Sequence, residues 1–585
     1  MFNRYYQDEL LYLRELGAEF ARAHPTAAHF LAAPGSDPDV ERMLEGFAFL
    51  SAKVRQKLDD EIPEVTAGLF SMLWPHYLRP VPSMSILEFQ PVLAALRQSQ
   101  TIRSGIRVQS VPVEGTHCQF QTAYPVTLNP LSLDQVQIEA MATGPGRLWL
   151  GFKLWNQAKP QTLDLKRVRV HLHGDPTLTF ALYYYLSAHL REAWAGGSGP
   201  GARSGGDLCP IRIEPVGFGE EEALLPYPSR SFAGYRLLQE YFSLQEKFLF
   251  LDIIGLEGLR DATVGEQFWV EFRFDRPLPA AIRPTPDDIR LYCTPIVNLF
   301  PHESDPLRID HTKVEYRVRP QGASPLHYEV YSIDRVVGYQ SGSAQEKEIP
   351  SFLSFSHDLS PRERLHYYSA SMREAVVDER ADTFLSFVDD RAEASVPPVE
   401  TISVKLQCTN RRLPEALRAG DIHVPTDTSP EFVRFRNLTV PIGSVPPPLG
   451  GDLHWRLVSH LSLNYLSVTN VEALRGILGL YNFHAMRDPR AARANALRLE
   501  GIQAISARPI DSLVDGSLLR GLRVSLELNE DRFAGDGDLY LFCTVLNEFL
   551  NLYASINSFV ELRAKGTQRG EEHRWPARVG GRDLL

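Results

Sequence analysis

The sequence predicts an α+β protein that is built from several domains. Its 585 residues exceed what one hydrophobic core usually organises. Apolar side chains recur at helical spacing near the amino terminus, whereas from Ser85 onwards apolar and polar residues alternate and Pro, Gly and Thr become frequent. We therefore expect a helical amino-terminal region followed by several β-rich mixed domains. The expected domains are 1–82 (helical), 83–230 (β-rich), 231–398 (mixed) and 399–585 (mixed).

The clearest helical pattern follows Pro38. Apolar residues recur there at steps of three and four over about five turns, and they are Val40, Met43, Leu44, Phe47, Leu50, Val54 and Leu58. Pro63 is predicted to end this helix because proline lacks the backbone N–H that a helix needs. A further helical segment, 65–77, carries Leu69, Met72 and Leu73 on one side. Such stripes are typical of an internal core and also of surfaces that pack against a partner's helices, and the sequence leaves both open.

The segment 83–230 predicts short paired strands. Residues 102–108 and 115–122 alternate as two of them, and residues 168–174 as another. In the last segment His171 and His173 share one face, as two zinc ligands would, but no third ligand accompanies them. We therefore predict a solvent-facing pair of histidines and no metal site.

The mixed domain 231–398 opens with an aromatic-rich helix that leads into an apolar strand, 249–254. Its aromatic side chains are expected in a core and not in a ligand-stacking platform. They are Phe232, Tyr235, Tyr241, Phe242, Phe248 and Phe250.

The most tightly specified stretch of this domain begins at Tyr292 and reads YCTPIVNLFPHESDPLRIDH. Residues 288–292 are predicted to form a strand that ends at Cys293-Thr294-Pro295, followed by an apolar turn. Residues 314–320 then alternate strictly, so they predict a strand with one packed face and one charged face. Arg317 and Arg319 share the charged face.

The domain 399–585 contains a segment that echoes the preceding domain. The alternating run 270–275 and the sequence Asp288 to Thr294 are matched by 524–529 and by Asp538 to Thr544. Both copies end in an apolar turn, 295–300 in the first and 545–550 in the second. We hypothesise that 524–550 repeats the strand-loop-strand-helix unit of 270–300.

Composition argues against several classes of function. The balance of 61 basic and 72 acidic residues gives a net charge of -11, so we expect no nucleic-acid partner. The five cysteines are odd in number and widely spaced, which predicts buried thiols in a reducing compartment. No apolar run is long enough to span a bilayer, and the first residues do not resemble a secretion signal. We expect a cytoplasmic protein with no direct membrane insertion.

One loop, 302–311, combines residue types that bind metals. These residues are His302, Asp305, Asp310 and His311. Prolines break the loop into turns, so it lacks the fixed ligand spacing of a metal-binding helix, and the sequence carries no nucleophile elbow, phosphate-binding loop or dinucleotide fingerprint. We therefore favour a protein that is not an enzyme. The alternative is a metal-dependent hydrolase that uses this loop.

Several of these segments together resemble one family. The stretch from Tyr292, YRVRP from Tyr316, DPDVERMLEGFAFLSAKV from Asp37 and CTNRRLP from Cys408 are similar to the signature of TssF (also called VasA or ImpG), a baseplate subunit of the bacterial type VI secretion system. The block 231–254 also agrees.

The resemblance implies a structural subunit without cofactors or catalytic residues, similar to phage tail baseplate wedge proteins. It implies that two copies join one TssG in a wedge, that TssK and TssE attach, and that wedges surround the VgrG hub beneath the inner membrane. From the stripe and the resemblance together, we expect one set of side chains to contact TssG or a second TssF copy. They are Val40, Met43, Leu44, Phe47, Leu50 and Val54.

Overall fold

The computed structural model confirms an α+β chain with several β-sheets. Within residues 38–73 the side chains of Val40 and of residues 54–67 are not described. The structure describes residues 6–7, 9–13, 38–93, 96–139, 145–200, 208–228, 231–260, 264–309, 313–322, 324–340, 346–352, 366–374, 381–389, 397, 399–449, 456, 470–514, 517–554 and 558–580.

The longer helices are distributed over the whole chain. They are α1 (Pro38–Leu73), α2 (Pro176–Ala188), α3 (Ala233–Ser243), α4 (Val471–Leu480), α5 (Pro489–Glu500) and α6 (Asp536–Tyr553).

The strands begin after α1 and are mostly short. They are β1 (Met84–Pro91), β2 (Gln100–Ile102), β3 (Arg107–Val113), β4 (Thr116–Thr122), β5 (Val126–Leu128), β6 (Leu131–Glu139), β7 (Arg147–Leu154), β8 (Arg167–Leu172), β9 (Leu190–Gly196), β10 (Cys209–Pro210), β11 (Arg212–Pro215), β12 (Phe250–Ile254), β13 (Gln267–Phe274), β14 (Ile289–Leu291), β15 (Cys293–Val297), β16 (Phe300–Glu303), β17 (Leu307–Arg308), β18 (Glu315–Val318), β19 (Glu329–Tyr339), β20 (Lys347–Glu348), β21 (Tyr367–Glu374), β22 (Ala381–Val388), β23 (Thr401–Thr409), β24 (Ile422–Pro425), β25 (Val433–Asn437), β26 (Ile502–Val514), β27 (Ser517–Leu528), β28 (Phe559–Gly566), β29 (Glu572–Arg574) and β30 (Arg578–Val579).

The chain divides into two compact units. The first comprises Met1–Leu78, Ser371–Arg373 and Pro448–Val458, and the second comprises the remaining residues. In the first unit α1 is a single helix that passes through Pro63, so the predicted end of the helix at this proline is wrong. One missing N–H removes one intrahelical hydrogen bond, and the helical turns on both sides of Pro63 continue in spite of that loss.

The described sheet with the most strands, six, lies in the second unit. Its strand order is β24-β3-β4-β15-β1-β25, and β1 pairs antiparallel with both β15 and β25. Buried side chains such as Phe89, Phe120, Ile296 and Phe435 form one core cluster on it. The strands come from 83–230, 231–398 and 399–585, because β-pairing joins residues that lie far apart in the chain. The boundaries predicted at 230 and 398 therefore do not separate independent sheets.

The other sheets of the second unit are smaller. Their orders are β10-β9-β13-β7-β6, β11-β12-β8-β14, β16-β23-β19-β20 with β17 on β23, β18-β22-β21, β2-β5, and β26-β27-β28-β29 with β30 on β28.

Tyr292 lies between β14 and β15, where the sequence predicts one strand followed by a turn. Its φ of 60° is a left-handed conformation, and its hydroxyl donates to the carbonyl oxygens of Asn129 and Leu131 at 2.7 and 2.9 Å. The chain then continues as β15, which is buried throughout and lies inside the six-stranded sheet. The predicted strand is confirmed as β14, which ends before Cys293. The prediction that Cys293-Thr294-Pro295 close it and that an apolar turn follows is wrong, because residues 293–297 form an inner strand.

Two buried asparagines connect the six-stranded sheet to the neighbouring sheet that contains β16 and β23. Asn298 Nδ2 donates to the carbonyl oxygen of Gln119 at 2.7 Å and to Asn410 Oδ1 at 2.9 Å. In return, the backbone N–H of Asn410 donates to Asn298 Oδ1 at 2.6 Å, and the N–H of Gln119 donates to Asn410 Oδ1 at 2.9 Å. Both asparagines are fully buried, so their side-chain oxygens and Asn298 Nδ2 depend on this exchange.

A buried ion pair fixes the aromatic-rich block around α3. Lys247 Nζ contacts Glu240 Oε2 and donates to the Gly217 carbonyl oxygen at 2.7 Å. The other oxygen of Glu240 accepts the backbone N–H groups of Leu224 and Leu225 at 2.8 and 2.9 Å. Burial lowers the pKa of Lys247, and the Glu240 carboxylate opposes that shift. The pair therefore holds the loop at 217–225 against α3.

The aromatic side chains predicted for a core are confirmed there, with five buried and Phe232 half-buried. All five cysteines are buried and form no disulfide, as predicted.

The predicted repeat of 270–300 at 524–550 is wrong. Residues 289–291 and 293–297 are strands, whereas the equivalent Asp538 to Thr544 lies inside α6. Helices α2 and α3 pack against α6, so it is apolar on more than one side. A helix buried in this way carries a continuous apolar run that resembles a buried strand.

His171 is buried in β8 and does not face solvent, so the prediction of a solvent-facing pair is wrong. Its ring lies 4.3 Å from the ring of Phe250 on β12, and His173 is half-buried beside it. Burial lowers the pKa of His171 to about 3. The imidazole is therefore neutral in the folded protein at neutral pH.

We predict that Asn298→Ala lowers the free energy of unfolding by about 3 kcal/mol, because it leaves the Gln119 carbonyl oxygen and the Asn410 N–H without their partner. Urea denaturation followed by circular dichroism measures this change. Gln137→Ala, on the exposed side of β6, is the control and is expected to be neutral. An unchanged denaturation midpoint in the Asn298 variant would show that the exchange carries no stability.

The buried His171 also predicts a pH dependence. Its ordinary pKa is 6.5 and its folded pKa is about 3, so the unfolded chain takes up a proton below pH 6.5 that the folded chain does not. This histidine's contribution to stability is complete above pH 6.5 and falls with decreasing pH, by at most about 1.4 kcal/mol per pH unit. His171→Phe is expected to flatten the unfolding free energy between pH 6.5 and 4 relative to the wild type. Identical pH profiles would contradict the assignment.

Candidate partner interface

The side chains of α1 expose an apolar row. Met43 is 75% exposed, Phe47 61% and Leu50 63%, and their spacing of four and three residues places them on one face of the helix. Leu44, one residue further round, is half-buried. Of the six predicted interface residues, the structure thus places four on or beside this row. The side chains of the other two, Val40 and Val54, lie outside the described residues.

The opposite face of α1 is packed. Ala48 and Ala52 are fully buried, and at about 100° per residue they lie on the side of the helix away from Met43. Between the two faces, Ser51 Oγ donates to Glu9 Oε2 at 2.9 Å, and Leu10 next to Glu9 is buried. The small alanines therefore serve the internal contacts of this unit, while the large apolar side chains point to solvent.

The carboxy-terminal end of α1 also combines a buried side chain with exposed large apolar ones. Phe70 is fully buried and stacks on Tyr77 with ring centroids 4.9 Å apart, and the Tyr77 hydroxyl accepts a hydrogen bond from Arg456 Nη1 at 3.0 Å. Leu69, Met72 and Leu73 are exposed. The sequence placed these three on one side of a helix but did not predict them at an interface. The available signal in the sequence was that three large apolar residues lie close to Phe70, more than one buried side of the helix can cover.

Apolar contact is the chemistry that this surface offers. Single exposed apolar residues are common, but a row of Met, Phe and Leu on one helix is typical of a surface that a second protein covers. Covering each of these side chains contributes about 1.5–3 kcal/mol. The row therefore suits the binding of another amphipathic helix.

The loop that the sequence offered as an alternative site is occupied by structural contacts. His302 Nε2 donates to the Gln321 carbonyl oxygen at 2.6 Å, and its ring stacks on Tyr328 with centroids 4.8 Å apart. Asp310 and His311 lie outside the described residues. Within the described ranges, no group of three His, Cys, Asp or Glu side chains is placed to hold a metal ion. The alternative of a metal-dependent hydrolase therefore has no support.

Among the helices that the structure describes, none combines the length and the apolar character needed to cross a membrane.

Comparison with known proteins gives a consistent result over the whole chain. Residues 1–582 match the family described as "Type VI secretion system, TssF". A curated relative, type VI secretion system component TssF1 of Pseudomonas aeruginosa strain PAO1, is 31% identical over 625 aligned positions, which cover 99% of each protein.

Two solved structures contain chains similar to this one. A chain of a TssK-TssF-TssG baseplate subcomplex of the type VI secretion system, determined by cryo-electron microscopy, is 34% identical with a TM-score of 0.77, and the match covers 93% of this chain and 99% of that one. A chain of the baseplate complex from the type VI secretion system is 31% identical with a TM-score of 0.63, and the match covers both chains in full. The chain therefore belongs to the TssF family of the type VI secretion system.

Proposed function

We propose that this protein is a structural subunit of the type VI secretion baseplate and that it acts by binding several other subunits. Membership of the TssF family carries this conclusion, since a similar chain forms a baseplate subcomplex with TssK and TssG. The exposed row on α1 adds a physical reason, because large apolar side chains in water favour association.

In this proposal the partners are TssG, with two copies of this chain per TssG, together with TssK, TssE and the VgrG hub. The subunits form wedges that start assembly of the contractile tail, in the manner of phage tail baseplate wedge proteins. The amino-terminal region 1–82 supplies helices to that assembly. The protein works in the cytoplasm, at the inner face of the bacterial inner membrane, where the secretion apparatus recruits it. It catalyses no reaction and needs no cofactor.

Within this assembly the α1 row is the proposed contact with TssG or with a second copy of this chain. The proposed residues are Val40, Met43, Leu44, Phe47, Leu50 and Val54. The buried Ala48 and Ala52 support it, since the internal packing of α1 already uses the other face. A helix packed on one face and apolar on the opposite face can join two bodies at once.

We predict that Phe47→Asp together with Leu50→Asp leaves a folded chain that no longer co-purifies with co-expressed TssG. Losing two apolar contacts and placing two carboxylates in an apolar interface weakens binding by about a hundredfold or more. Pull-down and native mass measurement report the loss. The wild-type complex is expected to contain two copies of this chain for each TssG.

Two matched variants separate an interface from an internal core. Val440→Asp with Leu518→Asp also replaces two exposed apolar residues, but outside α1, and is expected to keep TssG bound. Ala48→Asp places the carboxylate on the buried face and is expected to aggregate. If the Phe47 and Leu50 variant aggregates on its own like the Ala48 variant, the row is internal and the proposed contact is wrong.

A further inference from the structure

Two sequence motifs that the proposed function does not use meet at one surface of the second unit. Arg317 and Arg319 of the YRVRP motif line a cavity of about 310 Å³. Arg411 and Arg412 of the CTNRRLP motif line a neighbouring cavity of about 520 Å³. Leu326, Glu329 and Arg411 line both cavities, so the two form one continuous depression. We call it the arginine groove.

The fold fixes the arginines of both motifs. In β18 Tyr316 and Val318 point into a buried core, so the alternation of the strand directs Arg317 and Arg319 to the other side. Arg411 follows the buried Asn410 and has a φ of 52°, a conformation that residues other than glycine adopt rarely. Its Nη1 donates to the Leu326 carbonyl oxygen at 3.1 Å. The strand alternation and the contacts of Arg411 therefore position these arginines.

Positive charge exceeds negative charge in this groove, although the chain as a whole carries -11. Five arginines line it against three acidic residues, and these eight are Arg317, Arg319, Arg411, Arg412, Arg487, Glu114, Glu329 and Asp382. Arg317 forms an ion pair with Asp382, with Nη2 and Oδ1 2.5 Å apart. Arg319 is exposed, and its guanidinium makes no hydrogen bond or ion pair with the part of the chain that the structure describes. Arg412 is also exposed and pairs only at 3.4 Å with Glu415 within that part.

One exposed apolar side chain, that of Leu326, lies between the arginines of the two motifs. Leu326 is 54% exposed although it lies where the two cavities join. A phosphate or a nucleic-acid backbone offers no apolar surface to cover such a side chain. A polypeptide that carries carboxylates on both sides of an apolar residue matches both the arginines and the exposed Leu326. Guanidinium groups beside an apolar contact are typical of the energetic centre of protein interfaces.

We propose that the arginine groove binds a carboxylate-rich segment of a partner protein, with the carboxylates at Arg319 and Arg412 and an apolar side chain against Leu326. This contact goes beyond the proposed function, because it does not involve α1 and needs no particular baseplate subunit.

The test places a photo-crosslinking residue, p-benzoylphenylalanine, at Leu326 in the full chain, co-expressed with TssG and TssK. After irradiation, mass spectrometry identifies the crosslinked peptide. We expect a peptide from another protein with two or more Asp or Glu close to the crosslinked residue. In the same chain, Arg319→Glu with Arg412→Glu is expected to reduce the crosslink by about tenfold, and raising the salt concentration is expected to reduce it in the wild type.

The matched control is Arg434→Glu with Arg508→Glu, which changes the charge equally at two exposed arginines outside the groove, and it is expected to keep the crosslink. Overturning results are no crosslink, a crosslink within the same chain, a partner segment without carboxylates, a nuclease-sensitive adduct, or an unchanged yield in the Arg319 and Arg412 variant. If that variant does not fold, the salt dependence of the crosslink yield without the two arginine substitutions tests the proposal instead. Co-purification of TssG is scored separately, so the proposed function and this inference fail independently.

Discussion

The exchange of hydrogen bonds between Asn298 and Asn410 is the constraint on which the architecture of the second unit depends. It consists of four hydrogen bonds around two buried side chains, and it joins β4 and β15 of the six-stranded sheet to the end of β23. Each asparagine lies in one of the segments through which the sequence resembles the TssF family, PIVNLFP and CTNRRLP. The same contact sets the position of Arg411, the next residue, and so connects the packing of two sheets to the surface that we call the arginine groove.

The two proposed contacts depend on different interactions, which are apolar burial for the row on α1 and charge for the arginine groove. The row on α1 is apolar and binds through the removal of surface from water, which gives stability. The arginine groove offers directional charge around one apolar residue, which gives orientation and selectivity. A scaffold that holds other proteins in register needs broad and chemically distinct surfaces of this kind.

Local periodicity predicted well what local interactions decide. It found the helix that contains Phe47, the buried aromatic block around Tyr241 and the alternation that separates Arg317 from Val318. It could not predict that β1, β15 and β25 share a sheet, because that pairing depends on contacts between distant segments. It misassigned 538–544 because α6 is covered on more than one side and so loses the one-sided pattern of a surface helix. It placed His171 in solvent because nothing in its own strand reveals that Phe250 covers it.

The central claim is that the exposed face of α1 is covered by another protein in the assembled baseplate. Phe47→Cys tests it directly, because all five natural cysteines are buried and the new thiol is then the exposed one. The measurement is the rate of maleimide labelling of this variant, alone and in its complex with TssG and TssK. The account predicts rapid labelling of the isolated chain and labelling slowed by about tenfold or more in the complex. Equal rates in both states would contradict it.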